Sequence, residues 1–92
     1  FENPDYTPHN LIIGQPDSAA EIAAAAEDLG ALGFTVGFLP DSDKIIIATE
    51  LLNYQEFQVI EFTAPNEVGD YDFLCTFPNH WQTMKGIMRV VN

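Results

Sequence analysis

Apolar positions along the chain fall in short runs separated by turn residues, with one stretch of helical spacing. Asn10 to Gly14 (NLIIG) predicts a short strand, closed by Pro16 and Asp17. Ser18 to Gly30 predicts the one clear helix. Ser18 is placed as N-cap with Glu21 three residues on, the pattern of a capping box. Six alanines between positions 19 and 26 favour the helix. Ile22, Ala25, Ala26 and Leu29 form a narrow apolar stripe, and Gly30 can take the left-handed conformation that ends it. Such a stripe packs closely and buries little area, as expected of an insertion lying on a sheet.

After the helix, Thr35 to Leu39 reads as a weak strand or loop, ended by Pro40 to Asp43. Lys44 to Thr49 (KIIIAT) is a β-branched strand, and Asn53 to Glu56 a turn. Phe57 to Thr63 alternates, with Gln58, Ile60 and Phe62 on one face. Turns at Pro65-Asn66 and Gly69-Asp70 lead to a strand over Tyr71 to Cys75. The last strand runs from Gly86 to Val91, with Met88 and Val90 on one side. Phe1 can end a strand that starts upstream, before a turn at Asn3-Pro4-Asp5. Short strands with frequent turn signals and one helix predict an all-β sandwich with an inserted helix at about residues 18 to 30, in one domain spanning residues 1 to 92.

The 92 residues are 47% apolar, so a core is attainable, and seven Phe, three Tyr and one Trp argue against a disordered acidic chain. Fourteen acidic against three basic residues give a formal net charge of -11. That argues against nucleic acid and an anionic membrane surface as partners, because no basic stripe exists to neutralise phosphates. No apolar run approaches the length of a membrane span. All the acidic residues lie at or before Asp72. Residues 73 to 92 carry only Lys85 and Arg89. The acidic part can steer a basic partner or simply keep the molecule soluble.

The chemistry lies in Cys75-Thr-Phe-Pro-Asn-His80-Trp-Gln-Thr-Met84, on a loop joining two strands. It uses the only cysteine and one of two histidines; the other, His9, lies far upstream. Each residue alone is unremarkable, since a lone cysteine or methionine is commonly core. Together, two imidazoles, one thiolate and one thioether are the donor set that suits copper in both oxidation states. Zinc sites prefer several Cys or His ligands and do not recruit methionine. A Cys-His nucleophile would need an oxyanion hole and a third orienting residue, neither of which the sequence displays.

Residues 71 to 90 (YDFLCTFPNHWQTMKGIMRV) resemble the copper loop of the cupredoxins of the azurin, auracyanin and plastocyanin-like group, and Pro8-His9-Asn10 resembles their upstream histidine motif. The resemblance covers nearly the whole chain. It implies a Greek-key β-sandwich and one copper ion held by His9, Cys75 and His80, with Met84 as a weak axial ligand and the Pro8 carbonyl on the opposite side. It also implies that Asn10 ties the two ligand loops together through Thr76, and that backbone N–H groups of Asn10 and Phe77 point at the Cys75 sulfur. The implied role is one-electron transfer through the exposed edge of His80, in a carrier and not an enzyme. The alternative is a structural or copper-storage module without fast redox exchange. Such domains work outside the cytoplasm, in the bacterial periplasm or at the cell envelope. The implied partner is a redox protein, such as a cytochrome or a fused dehydrogenase domain, docking around His80 and Trp81. Three departures stand out. Asn79 replaces the usual glycine, Trp81 follows the exposed histidine and is expected to widen the apolar surface around it, and the first two strands of the family fold are absent, which an upstream segment, a homo-oligomer or a second chain could supply.

Overall fold

The computed structural model describes every residue except Glu2, Pro4, Asp5, Ala64, Asn79 and Asn92. The expected turn at Asn3-Pro4-Asp5 falls largely outside the described residues, and so does the expected left-handed Asn79. Four strands form one antiparallel sheet: β1 (Ile12–Gly14), β2 (Ile45–Ala48), β3 (Gly69–Leu74) and β4 (Lys85–Val90), in the order β2-β1-β3-β4. Ile12 lies opposite both Ala48 and Leu74, and Ile13 opposite Ile47 and Phe73. Period-two alternation therefore gives the sheet two faces. One carries Ile12, Leu74 and Ala48; the other carries Ile13, Phe73 and Ile47.

Helix α1 (Ala19–Glu27) covers the first face. Ile12, Ile22, Ala23 and Leu74 are its buried cluster, with Ala19, Ile45, Ala48 and Trp81 packed against it. The buried positions of the helix are Ile22, Ala23 and Ala26. Relative to the expected stripe, Ala23 replaces Ala25 and Leu29, which are half-buried. Small alanines bring the helix axis close to the sheet, so Ile22 supplies most of the contact area.

The capping box does not form. Ser18 makes no cap bond; its hydroxyl donates to the Gln15 carbonyl. The Asp72 carboxylate on β3 accepts from the Ala19 N–H at 2.9 Å instead. A carboxylate at the positive end of a helix is favoured by the helix dipole as well as by the hydrogen bond. The helix stops at Glu27, and Gly30 (φ +54°) turns the chain into a short 3-10 turn, Gly30–Leu32.

Three further expectations differ. Thr35 to Leu39 is no strand: helix α2 (Gly33–Val36) occupies its first half and ends at Gly37 with φ +66°. Strand β3 begins at Gly69, where a turn was expected, because Gly69 and Asp70 pair with Val90 and Arg89. Phe57 to Thr63 forms no strand among the described residues. Among the described residues its backbone pairs at one position: the Phe1 ammonium donates to the Gln58 carbonyl at 2.9 Å, and the Gln58 N–H donates back to Phe1 at 2.8 Å. Phe57 and Val59 stay exposed at 71% and 74%. The second sheet face, with Leu11, Ile13, Phe73 and Met88, lines an open apolar hollow of about 330 Å³.

Candidate metal centre

Strands β1 and β3 are antiparallel and paired at Ile12 and Leu74, so the start of one lies beside the end of the other. His9 precedes β1 and Cys75 follows β3, and the register alone brings them to the same end of the sheet. The third residue arrives through the β3–β4 loop. Leu74 pairs with Lys85, and the Cys75 N–H donates to the Met84 carbonyl at 2.9 Å, which closes the loop at its base. Inside the loop the His80 N–H donates to Phe77, and the Thr83 and Met84 N–H groups donate to the His80 carbonyl. This single turn folds His80 back over Cys75. His9 is anchored separately by two backbone bonds with Leu52, at 3.0 and 2.8 Å.

The result is a triangle. His9 Nδ1 lies 3.7 Å from Cys75 Sγ, and His80 Nδ1 lies 3.6 Å from it. The ligand atoms of all three residues lie within 4.8 Å of one another. A first-row ion about 2.0 Å from nitrogen and about 2.3 Å from sulfur would hold N and S roughly 3.5 to 3.7 Å apart, for angles from tetrahedral to trigonal. The observed separations fit that demand without rearrangement. Both imidazoles present Nδ1 to the sulfur, and their ring centroids are 4.8 Å apart. Cys75 and His9 are buried and His80 is half-buried, so the site has a closed side and a side nearer solvent.

Burial pushes the Cys75 thiol above its ordinary range, and backbone hydrogen bonds from Asn10 and Phe77 to the sulfur work the other way. A cation between the imidazoles would take the proton's place and release the thiolate as its ligand.

The support beneath the triangle is a buried hydrogen-bond network. Asn10, 1% exposed, donates to the Thr76 hydroxyl at 2.8 Å and to the Gly37 carbonyl at 3.0 Å, and its Oδ1 accepts from the Thr76 N–H at 2.8 Å. The Thr76 hydroxyl in turn donates to the Phe38 carbonyl. The His9 strand, the Cys75 loop and the end of α2 are thus tied together by two side chains. The involvement of Gly37 and Phe38 is new relative to the sequence reading. Thr35 and Val36 looked β-like, and only the glycines at 33 and 37 hinted at a close-packed turn. A Cβ on Gly33 would collide with the Phe38 ring.

The remaining expected residues are placed as follows. Phe77 is half-buried, its ring 5.0 Å from that of His80 and 5.4 Å from that of Phe38. Met84 lines a hollow of about 350 Å³ together with Cys75, Asn10 and Phe73. Pro8, half-buried, lies on the wall of a different cleft with Phe34 and Leu39. Trp81 turns towards the core cluster under α1, with the Lys85 ammonium 5.0 Å above its ring.

Known proteins share both the sequence and the geometry. Auracyanin-A of Chloroflexus aurantiacus is 38% identical over 87 residues, which is 91% of this chain and 51% of the relative. A solved structure of that protein, described as a "blue" copper protein, superposes with a TM-score of 0.86 at 33% identity, covering 99% of this chain and 74% of the other. Azurin of Pseudomonas fluorescens biotype A is 31% identical over 85 residues, 89% of this chain and 64% of the relative. Dithionite-reduced auracyanin of Roseiflexus castenholzii superposes with a TM-score of 0.87 at 37% identity, over 100% of this chain and 74% of the other. The chain therefore spans about half to two thirds of the curated relatives it matches in sequence. No family model matches it. With the triangle of His9, Cys75 and His80 at the strand ends and these relatives sharing its sequence and fold, the chain belongs to the cupredoxin family of blue copper proteins.

Proposed function

We propose that this chain is a one-electron carrier that binds one copper ion through His9, Cys75 and His80. The observation that carries this reading is the N–S triangle, with sides of 3.7 and 3.6 Å, pre-formed by backbone hydrogen bonds. Bound copper would supply a Cu(I)/Cu(II) couple with no bond made or broken in the protein. The residues do the rest. A soft thiolate and two imidazoles suit both oxidation states. The Asn10 and Thr76 bridge fixes the ligand loops so that the donors need not move between states. Met84, which lines a hollow with Cys75, would add a weak thioether donor, and the Pro8 carbonyl is the further donor that the family resemblance implies. The half-buried His80 is the exit for the electron, and the protein is a carrier, not an enzyme.

Titration with Cu(II), followed by visible absorption and electron paramagnetic resonance, tests this. The expected result is an intense blue band with small hyperfine splitting at one copper per chain, absent in Cys75→Ser. A pale, ordinary Cu(II) spectrum would sink the reading. A blue site that does not cycle reversibly would favour storage or a structural role.

The partner in this reading is a redox protein, a cytochrome or a fused dehydrogenase domain, and the setting is the bacterial periplasm or cell envelope. The relatives come from bacteria, and no helix among the described residues is long and apolar enough to cross a membrane. In this reading residues 1 to 92 form one domain, and a further layer, from the same protein or from a second chain, covers the open face with Leu11, Ile13 and Phe73. The support is that open apolar face. A chain extended upstream should lose the hydrophobic-dye binding of the 92-residue chain; a dimer of the 92-residue chain that buries the dye site would assign the covering layer to a second copy.

A further inference from the structure

Four large apolar side chains are exposed together on and beside one turn of helix. Leu32, Phe34, Val36 and Leu39 are 66%, 68%, 46% and 39% exposed, and all lie on or beside α2. This patch differs in kind from the open sheet face. This single helical turn presents no extended backbone edge for an added strand to pair with, whereas side chains of a folded partner can pack on it.

The patch is joined to the metal centre by aromatic contacts. The Phe34 ring lies 4.9 Å from Phe38 and 6.2 Å from Phe77, both edge-on, and Phe77 lies 5.0 Å from the ring of His80. Phe38, 2% exposed at φ +54°, is held in its left-handed conformation by the Thr76 bond to its carbonyl and by the glycine beneath its ring. Phe34 therefore rests on a rigid base. A molecule seated on it stands two ring contacts from His80.

The rim of the patch is acidic on both sides. Glu27 lines the cleft between Phe34 and the Thr76-Pro78 loop, and Glu50 lines the cleft between Phe34, Val36 and Leu39. No lysine or arginine lines either cleft. On the other flank of His80, Trp81 packs into the core with Lys85 above it. An apolar centre with carboxylates around it fits a partner with an apolar contact face ringed by lysines.

We infer that the docking surface of this chain is the α2 patch centred on Phe34, rimmed by Glu27 and Glu50, and that its occupant is a basic redox protein whose cofactor edge lies within a ring of lysines. This rests on the electron-carrier reading. In the encounter one electron passes from the reduced site to a ferric haem, with no proton or bond transferred.

The test uses a basic ferricytochrome c as probe on the 92-residue chain. Without copper, amide chemical shifts of the chain should move on titration at Leu32 to Leu39 and Phe77, and Phe34→Ser should weaken binding about tenfold, as loss of a central aromatic anchor does. Glu27→Gln and Glu50→Gln should each flatten the salt dependence. With copper, Phe34→Ser should keep the spectrum of the parent chain and its rate with a small cobalt(III) complex, while reducing ferricytochrome c about tenfold more slowly. Val68→Ser, an exposed apolar change at the far end of β3 from Cys75, should alter neither rate. Unchanged cytochrome binding in Phe34→Ser would overturn the inference, as would shifts clustered at Trp81 and Lys85. A parent chain that is dimeric, and monomeric as Phe34→Ser, would assign the patch to a second copy and overturn it too. Failure to form a blue site would defeat the carrier reading while leaving the copper-free titration to decide the docking surface.

Discussion

Asn10 is the residue on which the geometry of the centre depends most. Its side chain makes three hydrogen bonds while almost fully buried, and its backbone N–H faces the Cys75 sulfur. Removing the amide leaves the buried Thr76 N–H without its partner and takes one donor from the half-buried Gly37 carbonyl. Asn10→Ala should therefore cost on the order of 1 to 3 kcal/mol, read from the urea midpoint. Asn10→Asp should also destabilise, because a carboxylate offers no donor to Gly37 or Thr76. At the surface the same logic predicts the opposite. Arg89 pairs with Asp70 at 2.8 Å and holds its carboxyl below the ordinary range. A lowered folded value means the pair stabilises above the ordinary aspartate range and loses that contribution as pH falls through the lowered value. Both groups are exposed, so solvent screens the pair. Asp70→Asn should leave the thermal midpoint at neutral pH unchanged. The ligand types were legible from sequence because one cysteine, two histidines and a methionine form a donor set with few chemical uses. The Phe38 carbonyl was not, since backbone acceptors carry no residue code.

At the scale of elements, α1 shows how a local rule yields to a tertiary one. Ser18 and Glu21 have the right spacing for a capping box, yet the Asp72 carboxylate reaches the Ala19 N–H from a strand 53 residues away. Asp72 is buried and sits at the positive end of the helix, so it gains both a bond and a dipole interaction that a serine hydroxyl would not. Asp72→Ala should cost roughly 0.5 to 2 kcal/mol and reduce helical circular dichroism, whereas Ser18→Ala should cost less than Asp72→Ala. Ile22→Ala should cost about 2 to 5 kcal/mol, because Ile22 is the one large side chain by which α1 fills the cluster with Ile12 and Leu74. Phe57 to Thr63 is the reverse case. Its alternation is that of a strand, but a strand exists only with a partner, and among the described residues its backbone meets one at Phe1.

For the whole molecule, charge decides more than packing. With 14 acidic and 3 basic residues the folded chain repels itself. Raising ionic strength from about 0.01 M to about 0.1 M shortens the screening length to about 10 Å. The thermal midpoint should rise over that range while association with a basic cytochrome weakens. Two opposite salt dependences in one protein separate self-repulsion from steering. If both quantities fell together, the acidic surface would be contributing to stability through pairing, against the single ion pair at Asp70 and Arg89 found among the described residues.

By itself the sequence determined which atoms can meet a metal, because softness and charge belong to residue types, and which segments can become strands or helix, because apolar spacing sets the face each can bury. It placed β1, β2, β4 and α1 within a few residues for that reason. The tertiary structure decided what depends on neighbours from elsewhere in the chain. The antiparallel register of β1 and β3 brought His9 to Cys75, and the closed β3–β4 loop folded His80 over both. Asp72 became the helix cap, Trp81 turned into the core, and Phe34 stayed outside on a base of buried rings. Each of these outcomes is a competition between partners distant in sequence, and pattern along the chain carries no term for a partner that only folding brings near.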